Sequence, residues 1–213
     1  YDSVPAEIEV TVRHLLTHTA GLAYGFNSPE LARLSNGDMI SDARAYPLLH
    51  EPGEKWTYGI STRVLGDLIE ERTDRGLFAF LSSRVLGPLG MADTFFAVPA
   101  SVTERVVTWH QRDGRSLTEI PHAGQLTSPE NGDGGLYSTA RDYARFMRLF
   151  LNAGRTDAGV QLVDPQVLGL MGRNQIGDLR VESQDAALPL VSRIFPAGAG
   201  VDTFGLGFQI TEA

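Results

Sequence analysis

The chain has 213 residues, a formal net charge of −8, 42% hydrophobic residues, 21% charged residues and no cysteine. That charge argues against nucleic acid or an anionic membrane as partner, because phosphate binding needs clustered cations. The lack of cysteine excludes disulfides, thiolate nucleophiles and cysteine-based zinc sites within these residues.

The length suits one sizeable core, or one large piece of a bigger domain. No apolar run approaches the ~20 residues that a helix needs to span a bilayer. The opening residues Tyr1-Asp2-Ser3-Val4-Pro5 carry neither a basic nor an apolar region, so no signal peptide is visible in this segment. Cytoplasmic and periplasmic or secreted locations both stay open.

In chain order, Thr11 as N-cap and Val12, Leu15 and Leu16 on one face predict a short helix over 10–16, with Gly21 as a stop. A second short helix is expected over 29–34, inside a loop-rich stretch holding Asn27, Ser28, Pro29, Asn36 and Gly37. Pro52-Gly53 marks a turn before Trp56 and Tyr58. Val64, Leu65, Leu68 and Ile69 recur at helical spacing from Ser61 onward. The next helix takes in Leu77, Phe80, Leu81 and Val85 and is expected to end at Gly87-Pro88. Residues 105–109 and 117–120 read as a hairpin about Arg112-Asp113-Gly114-Arg115. Thr139-x-x-Asp142 resembles a capping box, and it opens an amphipathic helix through Tyr143, Phe146, Met147, Phe150 and Leu151, closed by Asn152-Ala153-Gly154. Asp164-Pro165 starts another short helix, 173–200 reads as a long loop, and 204–210 as the start of a strand. The fold class is therefore α+β, mainly α, with an incomplete sheet.

Several phrases in this order resemble one family. Residues 12–22, Val-Arg-His-Leu-Leu-Thr-His-Thr-Ala-Gly-Leu, are similar to the RDLLTHTSGL segment of class C β-lactamase relatives. Glu51-Pro52-Gly53-Glu54-Lys55-Trp56-Thr57-Tyr58 looks like that family's approach to its catalytic tyrosine. Val64-Leu65-Gly66, Pro88-Leu89-Gly90-Met91, Gly134-Gly135-Leu136-x-Ser138-Thr139 and Phe204-Gly205-Leu206-Gly207-Phe208 follow in the family's order. The resemblance covers nearly all of the chain. It includes family VIII carboxylesterases and penicillin-binding-protein-like proteins, and it implies a single partial domain over 1–213 from which most of the antiparallel sheet is missing.

The family acylates the serine of a Ser-x-x-Lys motif, uses a tyrosine in Tyr-x-Asn or Tyr-x-Ser for proton transfer, and lines the site with a Lys-Thr-Gly-like strand. Only the tyrosine carries over, onto Tyr58. Lys55 is the one lysine in the chain, and the residue three before it is Pro52, so Ser-x-x-Lys is absent here. The resemblance places the nucleophile segment before Tyr1 and the last strands after Ala213, which makes the chain an internal fragment. A free tyrosine has a pKa of about 10 and needs nearby cations to act as a base. Taken alone, Tyr58 reads as a half-buried aromatic with a bonded hydroxyl; the resemblance favours the catalytic role.

Ile60 stands where the family has a polar residue that would contact an amide, which favours an ester substrate over a lactam or peptide. Gly134 and Gly135 are expected to shape the substrate cleft, in a turn at Asn131–Gly135 whose glycines accept positive φ. Other constellations read as structural. Gly59-Ile60-Ser61-Thr62-Arg63 lacks the last glycine of a nucleophile elbow, so Ser61 or Thr62 is expected to cap the following helix. His14 and His18, four apart, lack a third metal ligand and the zinc-hydrolase glutamate. His122-Ala123-Gly124 comes too early in the order to be the third family motif.

Together these readings give a serine hydrolase acting through an acyl-enzyme on a small-molecule ester or amide, esterase-like, with no metal or organic cofactor implied. The alternatives are a penicillin-recognising peptidase or β-lactamase, and a non-catalytic interaction domain on the same scaffold.

Overall fold

The computed structural model describes residues 4–34, 47–120, 126–184 and 197–211. Helix α1 (Val12–Leu16) opens on a reciprocal cap: the Thr11 hydroxyl accepts from the His14 backbone N–H at 3.2 Å, and His14 Nδ1 accepts from the Thr11 N–H at 3.3 Å. The helix ends at Leu16, and His18 has a φ of +55°. His14 and His18 therefore do not share a helix face. Helix α2 (Pro29–Leu34) lies where the sequence puts it, with Ser28 Oγ accepting from the Leu31 N–H.

Helix α3 (Ser61–Thr73) packs beside α1, and Leu15, Ala20, Leu22 and Ile60 form a core between them, backed by Val64, Leu65 and Leu68. Its N-cap is Ile60, which makes no side-chain cap bond. The expectation that Ser61 or Thr62 caps this helix is thus corrected: Ser61 is the first helical residue, fully buried, and its Oγ finds no hydrogen-bond partner.

Beyond α3 the helix expected to stop at Gly87-Pro88 continues through it. Helix α4 (Leu77–Leu81) passes into a π-helical turn (Ser82–Leu86) and then α5 (Gly87–Leu89), closed by Gly90 at φ +67°. Pro88 is the second residue of α5, directly after the π-helical turn. A 3₁₀ turn (Ala100–Arg105) then precedes β1 (Trp109–Asp113) and β2 (Ser116–Ile120), an antiparallel hairpin in which Asp113 pairs with Ser116. The hairpin was expected, but its first strand is 109–113 rather than 105–109, because the turn at Gly114-Arg115 sets the register. Both strands are exposed throughout.

Helix α6 (Ala140–Leu151) begins at Thr139, whose hydroxyl accepts from the Asp142 N–H at 3.2 Å. Its Leu149 joins Leu86, Leu89 and Met91 in a second apolar cluster flanked by Phe78 and Phe146. Helix α7 (Pro165–Met171) is capped by Asp164, which accepts from the Gln166 N–H at 2.7 Å. The strand expected over 204–210 is instead two short antiparallel pieces, β3 (Thr203–Phe204) and β4 (Gln209–Ile210). Gly205 and Gly207 turn the chain between them, Gly207 at φ +86°. Phe204 packs with Trp56, Ile176 and Val181 in a third cluster. Among the described residues the protein is α-rich with short antiparallel strands, and no helix is long and apolar enough to cross a membrane.

Candidate functional site

Residues 56–60 thread between two cores. Trp56 points into one and Ile60 into the other, and Tyr58 lies between them, half-buried. This stretch is tied to the chain after α1 by the Thr57 N–H, which donates to the His18 carbonyl at 2.8 Å. The buried Asn27 holds it from a second side: Nδ2 donates to the Tyr58 carbonyl at 3.2 Å, while Oδ1 accepts from the Tyr24 N–H at 3.0 Å. Gly59 completes the junction. A Cβ there would overlap the Ala23 Cα and the Leu22 carbonyl, so only glycine lets the two segments approach this closely.

The turn at 131–135 forms the third wall. Gly132 nests against α3 at Gly66, where an added Cβ on Gly66 would meet the Gly132 nitrogen at 2.9 Å. That contact delivers Asp133 to Arg63 of α3, whose Nε lies 3.2 Å from each carboxylate oxygen and whose terminal nitrogen lies 3.2 Å from one of them. The Asp133 carboxylate also bears on the Tyr24 phenol and raises its proton affinity. The Tyr24 ring stands 5.8 Å from that of Tyr58, and the His18 imidazole 4.7 Å from it.

Burial and charge decide the protonation states. Burial raises the Tyr58 pKa above its ordinary value, and the Asp133 carboxylate raises it further. Tyr24 is raised too, by burial first and then by Asp133. Burial lowers the His18 pKa to about 4, so its imidazole is neutral at pH 7. Tyr58 is therefore a protonated phenol at neutral pH, able to donate a hydrogen bond. Lys55 is exposed to solvent. Arg63 is committed to Asp133.

The structure thus brings Tyr58 and the Asn131–Gly135 turn to one place, joined through Asp133, Tyr24 and Arg63. Gly135 adopts a φ of +100° and packs under Phe96 and Ser128, whereas Gly134 has a negative φ and open space around it. The expectation of positive φ therefore holds for Gly135 and not for Gly134. Gly135 also lines a cavity of about 410 Å³ with Phe95, Val98, Val102, Trp109 and Leu136. Ile60 is only 2% exposed, and its side chain serves the core rather than an open cleft. Among the described residues no three His, Cys, Asp or Glu side chains cluster to hold a metal. His122 lies outside the described residues. Sequence reasoning did not find Asn27, Tyr24, Arg63 or Asp133. Only Asp133 carried a signal, as a charged residue inside a turn already singled out.

The family model described as Beta-lactamase matches residues 2–213. The protein Rv1367c of Mycobacterium tuberculosis is 36% identical over 187 residues, covering 82% of this chain and 46% of that protein. The lovastatin esterase of Penicillium rubens is 28% identical over 232 residues, covering 99% of this chain and 56% of the esterase. Among solved structures, the unliganded simvastatin synthase LovD of Aspergillus terreus superposes with a TM-score of 0.76 at 24% identity, over 97% of this chain and 54% of that one. The chain spans about half the length of these relatives. With the family match over nearly every residue, the chain belongs to the β-lactamase family, whose fold it shares with penicillin-binding-protein-like proteins, esterases and acyltransferases.

Proposed function

We propose that the parent protein is a serine hydrolase that cleaves a small ester through an acyl-enzyme, and that Tyr58 carries the proton of the nucleophilic serine. The nucleophile and its lysine are supplied, on this reading, by parts of the parent outside residues 1–213. The observation that carries the reading is the setting of Tyr58: a half-buried phenol whose backbone is held by Asn27 and by the bond from the adjacent Thr57 N–H to the His18 carbonyl, in a chain whose family includes esterases. A rigid phenol lowers the cost of orienting the proton carrier. Its high proton affinity supports dependence on cations from the remainder of the parent, since no lysine other than Lys55 exists in this chain.

The ester preference draws on the esterases among the relatives, because Ile60 lies in the core and does not itself distinguish ester from amide. Position 60 supplies packing and no hydrogen bond, so recognition of an amide must come from elsewhere. Gly134 and Gly135 are proposed to border the cleft. Similarity to a simvastatin synthase favours a second reading, in which an alcohol instead of water takes the acyl group from the same serine.

The test uses the full-length parent with p-nitrophenyl butyrate and with nitrocefin. Ester turnover is expected to exceed lactam turnover, and Tyr58→Phe is expected to lower kcat/KM for the ester by about 10²–10⁴-fold. Added alcohol that diverts product from acid to ester would assign the transferase. No turnover of either substrate would leave the interaction-domain reading in place of the enzyme.

A further inference from the structure

The segments 95–98 and 126–137 are joined through their backbones. Phe95 and Tyr137 exchange N–H to carbonyl bonds of 2.9 and 2.8 Å, the Ser128 N–H donates to the Phe96 carbonyl at 2.8 Å, and the Val98 N–H donates to the Leu126 carbonyl at 2.9 Å. This frame, the 3₁₀ turn Ala100–Arg105 and the start of β1 surround the open cavity of about 410 Å³ that Gly135 borders. Phe95, Val98, Val102, Trp109 and Leu136 give it apolar walls, and its volume lies in the range of small-molecule sites.

The polar side chains of the lining are largely engaged with one another or with the fold. The Asp93 carboxylate accepts from both terminal nitrogens of Arg105, at 2.8 and 2.7 Å. Ser138 Oγ shares a hydrogen bond with Thr94 Oγ at 2.9 Å, and Thr139 Oγ accepts from the Asp142 N–H at 3.2 Å. A charged ligand would have to break the Asp93–Arg105 pair to be matched, whereas hydrocarbon gains simply by leaving water. Ser128 and Tyr137 add hydroxyls to the lining, enough to meet one hydroxyl or carbonyl of a ligand. Apolar lining also stands in solvent: Trp109 is 55% exposed and Leu136 44%. We propose that this cavity is a binding site for an uncharged small molecule with an aliphatic chain, such as a primary alcohol or its ester. The site is independent of Tyr58 and of the esterase reading.

The full-length parent labelled with 5-fluorotryptophan tests it. The Trp109 ¹⁹F resonance, assigned by its loss in Trp109→Phe, is followed during titration with butanol, hexanol, octanol and, at pH 7, octanoate. Each alcohol is expected to give a saturable shift, with affinity rising about threefold to fourfold per added methylene. The octanoate anion is expected to bind at least about tenfold more weakly than octanol, because its charge finds no partner. Val102→Phe fills the cavity and is expected to weaken octanol about tenfold or more. Should that variant fail to fold, Leu136→Ser decides; it removes one wall at an exposed position and is expected to weaken octanol severalfold. A shift that does not saturate, octanoate binding as tight as octanol, or octanol affinity unchanged in the folded variant overturns the proposal. So does the absence of any shift, which would mean that another segment of the parent fills the cavity. Ester turnover does not enter the readout, so failure of the esterase reading leaves this result standing.

Discussion

The imidazole of His18 lies 4.7 Å from the ring of Tyr58, centroid to centroid, with their planes tilted by 45°. His18 reaches this place because its φ of +55° turns the chain out of α1 and into the cluster of Trp56 and Phe204. Its Nδ1 is buried without a hydrogen-bond partner, an arrangement that tolerates a neutral ring and penalises a charged one.

That burial makes the fold acid-sensitive. The folded pKa of His18 is about 4, against 6.5 for a free imidazole, so between these values the unfolded chain binds a proton that the folded chain refuses. Stability is complete above pH 6.5, falls as the pH drops through that window, and loses no more from this group below pH 4. The loss amounts to about 3 kcal/mol. Urea unfolding at pH 7 and pH 4 should show a drop of this order that shrinks in His18→Phe; equal drops in both proteins would assign the acid sensitivity to other groups.

Ile60 offers a test of packing against recognition. It is buried with Leu15, Ala20 and Leu22, so Ile60→Val should cost about 0.5–1.5 kcal/mol and Ile60→Ala about 2–5 kcal/mol. Because the side chain sits in the core, the ester KM of the folded parent should stay unchanged in Ile60→Val. A several-fold rise in KM with unaltered stability would place the side chain at the substrate instead.

Gly134 and Gly135 should differ sharply despite their adjacency. An added Cβ at Gly134 meets nothing within 4 Å, so Gly134→Ala should change stability by no more than about 0.5 kcal/mol. At Gly135 the φ of +100° is closed to side chains, and a Cβ would lie 2.9 Å from both the Pro129 carbonyl and Ser128 Cβ. Gly135→Ala should cost more than about 1–3 kcal/mol. Thermal melts of the two variants distinguish them directly, and similar melting temperatures would contradict the geometry.

Asp142 is a further structural keystone, 1% exposed at the start of α6. One carboxylate oxygen accepts from the Asp93 N–H at 2.8 Å and from the Thr94 hydroxyl at 3.0 Å, and the other accepts from Arg145 at 3.0 Å. Removing it takes an acceptor from all three, although the Thr94 hydroxyl keeps Ser138 and Arg145 keeps the Gly90 carbonyl. Asp142→Ala should cost about 3–5 kcal/mol, and Asp142→Asn, which keeps an acceptor, should cost less. Denaturant midpoints of both variants check the order.

Much of the helical framework was legible in the sequence because its determinants are local. Thr139, the Tyr143–Phe146–Phe150 spacing and the Asn152–Gly154 stop lie within a few turns of one another, and α6 forms where they point. Asp164-Pro165 and Ser28-Pro29 act over the same short range. The family phrases likewise located Tyr58, since motif order is a property of sequence. Tertiary structure decided the rest. Ser61 has the composition of a cap, yet core packing buries it one residue inside the helix. Phe204–Phe208 has the composition of a strand, yet two glycines fold it back on itself. The protonation state of Tyr58 depends on burial and on Asp133, which lies 75 residues away along the chain. Electric fields act through space, and only the close approaches at Gly59, Gly66 and Gly132 bring that charge within reach.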